Sequence, residues 1–301
     1  SISRQEMRRI LVALSLAVNL GLLAYFKYAD FLLHNFQALA AMVGIVYSPP
    51  AFDIILPIGI SFYTFQTLSY TIDVYRRRLA PTGSLLDFSL FVSFFPQLVA
   101  GPIERARVLL PQIARPRRYD HERTRQGVVL ILLGFFKKVA IADVMAPLVN
   151  DAFSSPAGLS SGALLTGLYA FSLQIYGDFS GYSDIARGVA KLLGFELMIN
   201  FEAPYLSRSI TEFWRRWHIS LSSWLRDYLY ISLGGNRGGP WLTYRNLFLT
   251  MFLGGLWHGA NWTFVVWGSV HGVWLGIHRA IKRSDDGPGG WMARGVKMFV
   301  T

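Results

Sequence analysis

The sequence contains no cysteine among its 301 residues, and charged side chains make up only 16% of it. Without cysteine the chain has no disulfide, no thiol nucleophile and no cysteine-ligated metal. The charged share is below the roughly 25% of an ordinary soluble domain, so there is too little charge for a typical water-facing surface. The 52% of hydrophobic residues, with nine tryptophans, fourteen tyrosines and twenty-two phenylalanines, suit a membrane protein whose aromatic rings gather at headgroup depth.

Negative charge is scarce, since 18 Asp and Glu face 29 Lys and Arg and leave a net charge of +11. Such an excess would suggest nucleic acid binding in a soluble protein. Here the basic residues lie between apolar runs, so we predict no nucleic acid partner and interpret them as membrane-orienting charge. Ten arginines in residues 76–78 and 105–125 predict the cytoplasmic side. Strictly alternating spans would place Arg4, Arg8 and Arg9 on the opposite side.

Long apolar runs predict an all-α polytopic membrane protein, because about 20 apolar residues cross the hydrocarbon core. The predicted spans are residues 10–26, 31–47, 54–72, 127–149, 158–176 and 246–277, the last of which is long enough for two segments with a turn near 259–262. Prolines and a glycine in residues 88–103 predict a re-entrant segment. Trp and Arg at helical spacing in 210–233 predict an amphipathic helix, at the membrane surface or lining a polar cavity. We predict one membrane domain over 1–301, incomplete at both ends.

Histidines inside apolar segments are the sharpest functional candidates, because ionisable groups in membrane spans are costly. His258 lies in a run without formal charge, where a neutral imidazole can act as a general base or simply bond to a neighbouring helix. His218 lies between basic and aromatic residues, which from the residues alone favours an interfacial anchor. A structural role is favoured for the other four, which are His34, His121, His271 and His278. No metal site is predicted.

Asp178 and Asp184 follow the predicted span 158–176 directly. Either carboxylate could cap a helix over residues 185–199, which is a sufficient structural reason for one of them. The Gly-x-Ser-x-Gly elbow and the Walker A loop are both absent from the sequence. Serine-hydrolase chemistry and nucleotide hydrolysis therefore have no motif support.

Several motifs follow one another along nearly the whole chain. They are FFPQLVAGPI at 94–103, DFSGYSDIA at 178–186, residues 200–205, FWRRWH at 213–218, WLRDYLYI at 224–231, LGGNR at 233–237 and WHGANW at 257–262. This ordered set resembles the membrane-bound O-acyltransferases, and most closely their bacterial polysaccharide branch of the alginate O-acetyltransferase type. The resemblance implies many helices around a channel through the bacterial inner membrane.

The resemblance also implies functions for individual residues. His258 corresponds to the essential histidine of the family and His218 to its second histidine. We expect the channel to be lined by Trp217, Trp257, Asn261 and Asp184. No bound cofactor is implied.

The activity that the resemblance implies is transfer of an acyl group, expected to be acetyl, across the membrane for O-acetylation of an exported polysaccharide such as alginate. The donor would be cytoplasmic acetyl-CoA or another acyl thioester. The expected partners are membrane lipid, this donor, the polysaccharide acceptor and a separate extracytoplasmic acetyltransferase. That last partner is expected because the chain has no nucleophile motif with which to select a hydroxyl on a long polymer.

Two other classes of protein remain open from composition. The first is a polytopic transporter or channel component whose histidines relay protons. It is disfavoured by the ordered motifs and by the shortage of carboxylates in the spans. The second is a lipid-linked glycosyltransferase, for which Asp53 and Asp151 are weak candidates.

Overall fold

The computed structural model describes residues 3–48 and 55–285, and every regular element within these ranges is a helix. The α-helices are α1 (Arg4–Leu23), α2 (Ala29–Met42), α3 (Ile60–Tyr75), α4 (Leu85–Ser93), α5 (Phe95–Leu98), α6 (Ala106–Ala114), α7 (His121–Phe136), α8 (Asp143–Ser154), α9 (Ser161–Leu192), α10 (Ile210–Arg216), α11 (Ile219–Trp224), α12 (Gly239–His258) and α13 (Trp262–Asp285). Three π-helical segments adjoin them at Ala24–Tyr28, Lys137–Ala142 and Leu225–Tyr230. The predicted all-α class is confirmed for these residues, while Asp53 lies outside them.

The first two helices and the π-helical segment between them form one continuous helix over Arg4–Met42. Among the described residues, this 39-residue helix is the one that is both long and apolar enough to cross a membrane. The sequence predicted two spans here, at 10–26 and 31–47, because Lys27 lies between them. The helix continues through Lys27 because its ammonium group donates a hydrogen bond to a backbone carbonyl, which lowers the cost of keeping it inside the protein.

The chain forms two compact units, and the first consists of residues 1–16 and 58–201. Its core includes α4, α6 and the loop after α9, and the buried side chains are Phe91, Phe94, Ala106, Leu109, Leu110, Ile113, Ala190, Phe195 and Leu197. In α9, the side-chain oxygen of Ser160 accepts a hydrogen bond from the Ala163 amide and caps the helix. The prediction that Asp178 or Asp184 caps a helix is therefore wrong, because both residues lie inside α9.

Arginines from the start of α1 and from the end of α3 line one cavity of about 700 Å³ in this unit. They are Arg4 and Arg8 on one side and Arg76 and Arg77 on the other. One guanidinium nitrogen of Arg8 donates to the Tyr75 carbonyl over 2.8 Å. Strictly alternating spans would place Arg4 and Arg8 opposite Arg76, but in this unit they line the same cavity, because α3 returns to the end where α1 begins.

Helices α7 and α9 pack through two pairs of glycines. Gly127 faces Gly188, and a Cβ atom added to Gly188 would lie 2.5 Å from the Gly127 carbonyl oxygen. Seven residues later in α7 and seven residues earlier in α9, a Cβ atom added to Gly134 would lie 2.5 Å from the Gly181 carbonyl oxygen. The antiparallel helices thus touch backbone to backbone, as membrane helices with small residues at their interface commonly do.

The second unit consists of residues 17–57 and 202–301 and contains α10 to α13. Helices α12 and α13 form an antiparallel pair, and the break between them falls at residues 259–261, where the sequence predicted a turn. The predicted amphipathic helix over 210–233 is interrupted. His218 adopts the left-handed conformation (φ 43°, ψ 54°) between α10 and α11, and a residue in that conformation ends a right-handed helix.

Candidate active site

His258 is the last residue of α12 and lies directly before the turn to α13. The helix pair is close at this point because Gly255 faces Gly268, and a Cβ atom added to Gly255 would lie 2.9 Å from the Gly268 Cα atom. After the turn, the Asn261 side chain caps α13 by accepting a hydrogen bond from the Thr263 amide over 3.0 Å. Close packing before the turn and a helix cap after it therefore define the position of His258.

The second histidine, His218, is buried beside the first. Only 1% of its surface is exposed, and its ring centroid lies 6.4 Å from that of His258 at an interplanar angle of 57°. The left-handed backbone of His218 is rare for a residue with a side chain and is typical of functional sites. Its ring nitrogen Nδ1 lies 3.4 Å from the Ser220 hydroxyl oxygen. Burial and the neighbouring His258 hold the pKa of His218 well below its usual value.

Aromatic rings surround His258 on several sides. The ring centroids of Trp257 and Trp267 lie 5.1 Å and 5.2 Å from that of His258, both edge to face. The Phe264 ring stacks on it at 6.1 Å. Trp267 also contacts His271 at 4.7 Å, a histidine to which the sequence assigned only a structural role. The imidazole of His258 therefore lies in an apolar, aromatic environment.

A cavity of about 340 Å³ opens beside His258 in this unit. Most of its wall is apolar and includes Leu221, Leu247 and Met251. Two exposed arginines, Arg215 and Arg226, also line it. Arg226 is paired with Asp227 over 2.8 Å. The cavity thus combines an apolar interior, one imidazole and the cation of Arg215, which suits a ligand with an apolar part and an anionic part.

The four residues expected to line a channel have different positions. Trp257 contacts both histidine rings, and Asn261 caps α13. Trp217 is buried and stacks on Phe213 at 5.5 Å. Asp184 belongs to the first unit, where its carboxylate pairs with Lys137 over 2.6 Å. That ion pair gives Asp184 a structural explanation that the sequence did not reveal.

Two residues that sequence analysis missed contact the last turn of α12 from the Ala24–Tyr28 segment. The Lys27 ammonium donates to the Trp257 carbonyl, and the Tyr28 hydroxyl donates to the Leu256 carbonyl over 2.6 Å. The available signal was a lysine between two apolar runs, which sequence analysis used only as a boundary. Within residues 3–48 and 55–285, no three His, Asp or Glu side chains are grouped so that they could hold a metal ion.

Comparison with known proteins gives a consistent family assignment. The chain is 52% identical over 272 residues to the protein named "Probable alginate O-acetylase" of Azotobacter vinelandii, a match that covers 90% of this chain and 54% of the relative. It is 40% identical to a peptidoglycan O-acetyltransferase of Helicobacter pylori, over 92% of this chain and 56% of the relative. A teichoic acid D-alanyltransferase of Streptococcus thermophilus is 30% identical, over 84% of this chain and 65% of the relative.

The chain spans about half the length of the alginate-type relatives it matches. The family of membrane-bound O-acyltransferases matches residues 76–284, which include the buried His218, the half-buried His258 and the cavity beside His258. This agrees with the ordered motifs in the sequence and confirms the predicted resemblance. The chain belongs to the membrane-bound O-acyltransferase family.

Proposed function

We propose that the full-length protein is an O-acyltransferase that moves an acetyl group from a cytoplasmic donor across a bacterial inner membrane for O-acetylation of an exported polysaccharide such as alginate. The main support is His258, an imidazole that lines an apolar cavity beside the buried His218. Three relatives with different acceptors in their names, alginate, peptidoglycan and teichoic acid, all transfer an acyl group by name. The two more similar ones are named for acetyl transfer.

His258 would act as the general base of the reaction. Its neutral imidazole takes the proton from an acceptor hydroxyl while the hydroxyl oxygen attacks the acyl carbonyl carbon of a thioester. The new acyl–oxygen bond forms, the acyl–sulfur bond breaks, and His258 returns the proton to the departing sulfur. His218 lies close enough to orient the site, and its lowered pKa keeps it neutral.

The cavity also fits an acyl thioester such as acetyl-CoA as the donor. Its apolar wall would hold the uncharged arm, while Arg215 would complement the phosphates of the donor. No bound cofactor is required for this chemistry. The acceptor that receives the acetyl group would belong to a separate extracytoplasmic acetyltransferase, which then selects the hydroxyl on the polymer.

His258→Ala in the full-length protein tests the proposal. We expect polymer-bound acetate to fall by about 10² to 10⁴, the usual effect of removing a general base, while abundance in the membrane stays near wild type. The measurement is acetate per polymer in a deletion strain complemented by each variant, with immunoblots of the membranes. His121→Ala is the matched control because His121 is exposed at the start of α7. Wild-type acetylation by His258→Ala would refute the role of His258.

A further inference from the structure

The C-terminal end of α12 has backbone carbonyls that the helix itself does not satisfy. The last four carbonyls of an α-helix have no intrahelical partner, and in α12 these belong to residues 255–258. Trp257 is buried, so its carbonyl needs a partner from elsewhere in the protein. His258 lies in the same last turn, and whatever holds these carbonyls also determines where the imidazole points.

Two consecutive residues of the Ala24–Tyr28 segment supply these partners. The Lys27 ammonium donates to the Trp257 carbonyl and lies 5.4 Å from the centroid of the Trp257 indole ring. The Tyr28 hydroxyl donates to the Leu256 carbonyl over 2.6 Å. Both carbonyls precede His258 directly, so the two side chains hold the backbone from which the imidazole projects.

The segment that carries Lys27 and Tyr28 is a π-helix inside an otherwise α-helical span. Single π-turns of this kind are frequent at functional sites, because the extra residue changes where the side chains point. Further along the same helix, the Asn35 side-chain oxygen accepts a hydrogen bond from the Trp262 indole nitrogen over 2.8 Å. The helix therefore contacts the chain both before and after the turn at residues 259–261.

Charge supports the same interpretation. A lysine within an apolar span is costly and commonly functional. The segment it docks on, residues 246–277, contains no Asp or Glu. The negative end of the α12 dipole faces Lys27 there, and a cation at a helix C-terminus is favourable.

We propose that Lys27 and Tyr28 are positioning residues for His258, which fix the last turn of α12 so that the imidazole faces the cavity. This rests on the proposed role of His258 as the general base. Neither residue touches the reacting atoms. Their loss should slow the chemical step through misplacement of the base, with little effect on how the acyl donor binds.

The test uses inside-out membrane vesicles that contain the full-length protein and its envelope partners, supplied with radiolabelled acetyl-CoA. For Lys27→Met and Tyr28→Phe we expect kcat to fall by about 10 to 100, as small misplacements of catalytic groups do, with the KM for acetyl-CoA unchanged within about twofold. Lys27→Arg should retain about a third or more of wild-type kcat, because a guanidinium also donates to the carbonyl.

Tyr25→Phe is the matched control for Tyr28→Phe, since Tyr25 lies on the same π-helical segment but is 52% exposed. We expect it to behave as wild type. The proposal is overturned if Lys27→Met and Tyr28→Phe keep wild-type kcat per folded molecule, even where their abundance falls. If Lys27→Met does not accumulate, Tyr28→Phe decides alone, and wild-type kcat per folded molecule in that variant overturns the proposal.

His258→Ala is assayed in parallel so that the two proposals fail separately. An inactive His258→Ala beside fully active Lys27 and Tyr28 variants would overturn only the positioning role. An active His258→Ala would overturn the proposed function, and the positioning role with it.

Discussion

The helix pairs α7–α9 and α12–α13 both pack through facing glycines, but the polar side chains beside the two contacts differ. Both are antiparallel, and in both, facing glycines bring the backbones into contact. Beside α7–α9 the carboxylate of Asp184 on α9 is paired, because Lys137, directly after α7, forms an ion pair with it. In α12–α13 the polar group at the end, His258, lines a cavity. Close glycine packing therefore does not identify a functional site. A polar side chain that lines a cavity beside the packed helices does.

The largest effect is expected for Gly134→Val in the α7–α9 pair. The added Cβ atom would lie 2.5 Å from the Gly181 carbonyl oxygen, which is backbone and has little freedom to move. We expect a loss at or above the upper end of the roughly 1–3 kcal/mol typical of overpacking, and hence little protein in the membrane. Abundance and thermal unfolding in detergent measure this.

Gly21→Val is the matched control, because a Cβ atom at this position of α1 meets no heavy atom within 4 Å. It should accumulate as wild type. Equal accumulation of Gly134→Val and Gly21→Val would show that α7 and α9 do not depend on glycine contact.

A smaller effect, and one on activity, is expected for Gly255→Ala in the α12–α13 pair. Its methyl group would contact the Phe264 carbonyl and lie 2.9 Å from the Gly268 Cα atom. The backbone of α12 must therefore move away from α13 at residue 255, which is only three residues before His258. Because displacements of about 1 Å at catalytic groups are costly, we expect acetyl transfer per folded molecule to fall about tenfold. The measurement is the rate of transfer in vesicles, normalised to folded protein.

Gly134→Ala provides the comparison for this activity effect. Its methyl group also meets backbone, but in the pair without a cavity histidine. It should lower abundance more than specific activity. The opposite result, with specific activity lost in Gly134→Ala and kept in Gly255→Ala, would show that α7–α9, and not α12–α13, supports catalysis.

The smallest effect is expected for Asp184→Asn, which breaks the ion pairs of Asp184 in α9 with Lys137, directly after α7, and with Arg187. The side chains of Lys137 and Asp184 are only 19% and 13% exposed, so the loss should lie between that of surface and buried pairs, about 1–2 kcal/mol. Thermal unfolding of the purified protein measures it. The double variant Asp184→Asn/Lys137→Met should recover part of the loss, because it leaves no unpaired ammonium, although Arg187 still loses its contact with the Asp184 carboxylate at 3.4 Å.

The same variants test the sequence-based expectation that Asp184 lines a substrate channel. If that expectation holds, Asp184→Asn lowers acetyl transfer per folded molecule, and adding Lys137→Met does not restore that activity. If the ion pair is the whole role of Asp184, activity follows the amount of folded protein in every variant.

Local sequence patterns predicted many of the helices because hydrophobic periodicity and length are properties of short segments. The break between α12 and α13 falls where the glycines and Asn261 predicted a turn. The interruption at His218 was missed, because Trp and Arg spacing in residues 210–233 is helical throughout. The break consists of the extended backbone of Trp217 after α10 and the left-handed backbone of His218 before α11.

The sequence by itself determined the all-α class, the family and the choice of His258 as the main candidate, because motifs and an uncharged apolar run around an imidazole are visible without coordinates. Only the tertiary structure decided that His218 is buried beside His258, that residues 4–42 form one helix, and that Asp184 belongs to an ion pair. It also revealed the contacts of Lys27 and Tyr28 with the last turn of α12. These features depend on residues that are more than 30 positions apart in the chain, and no local pattern encodes such contacts.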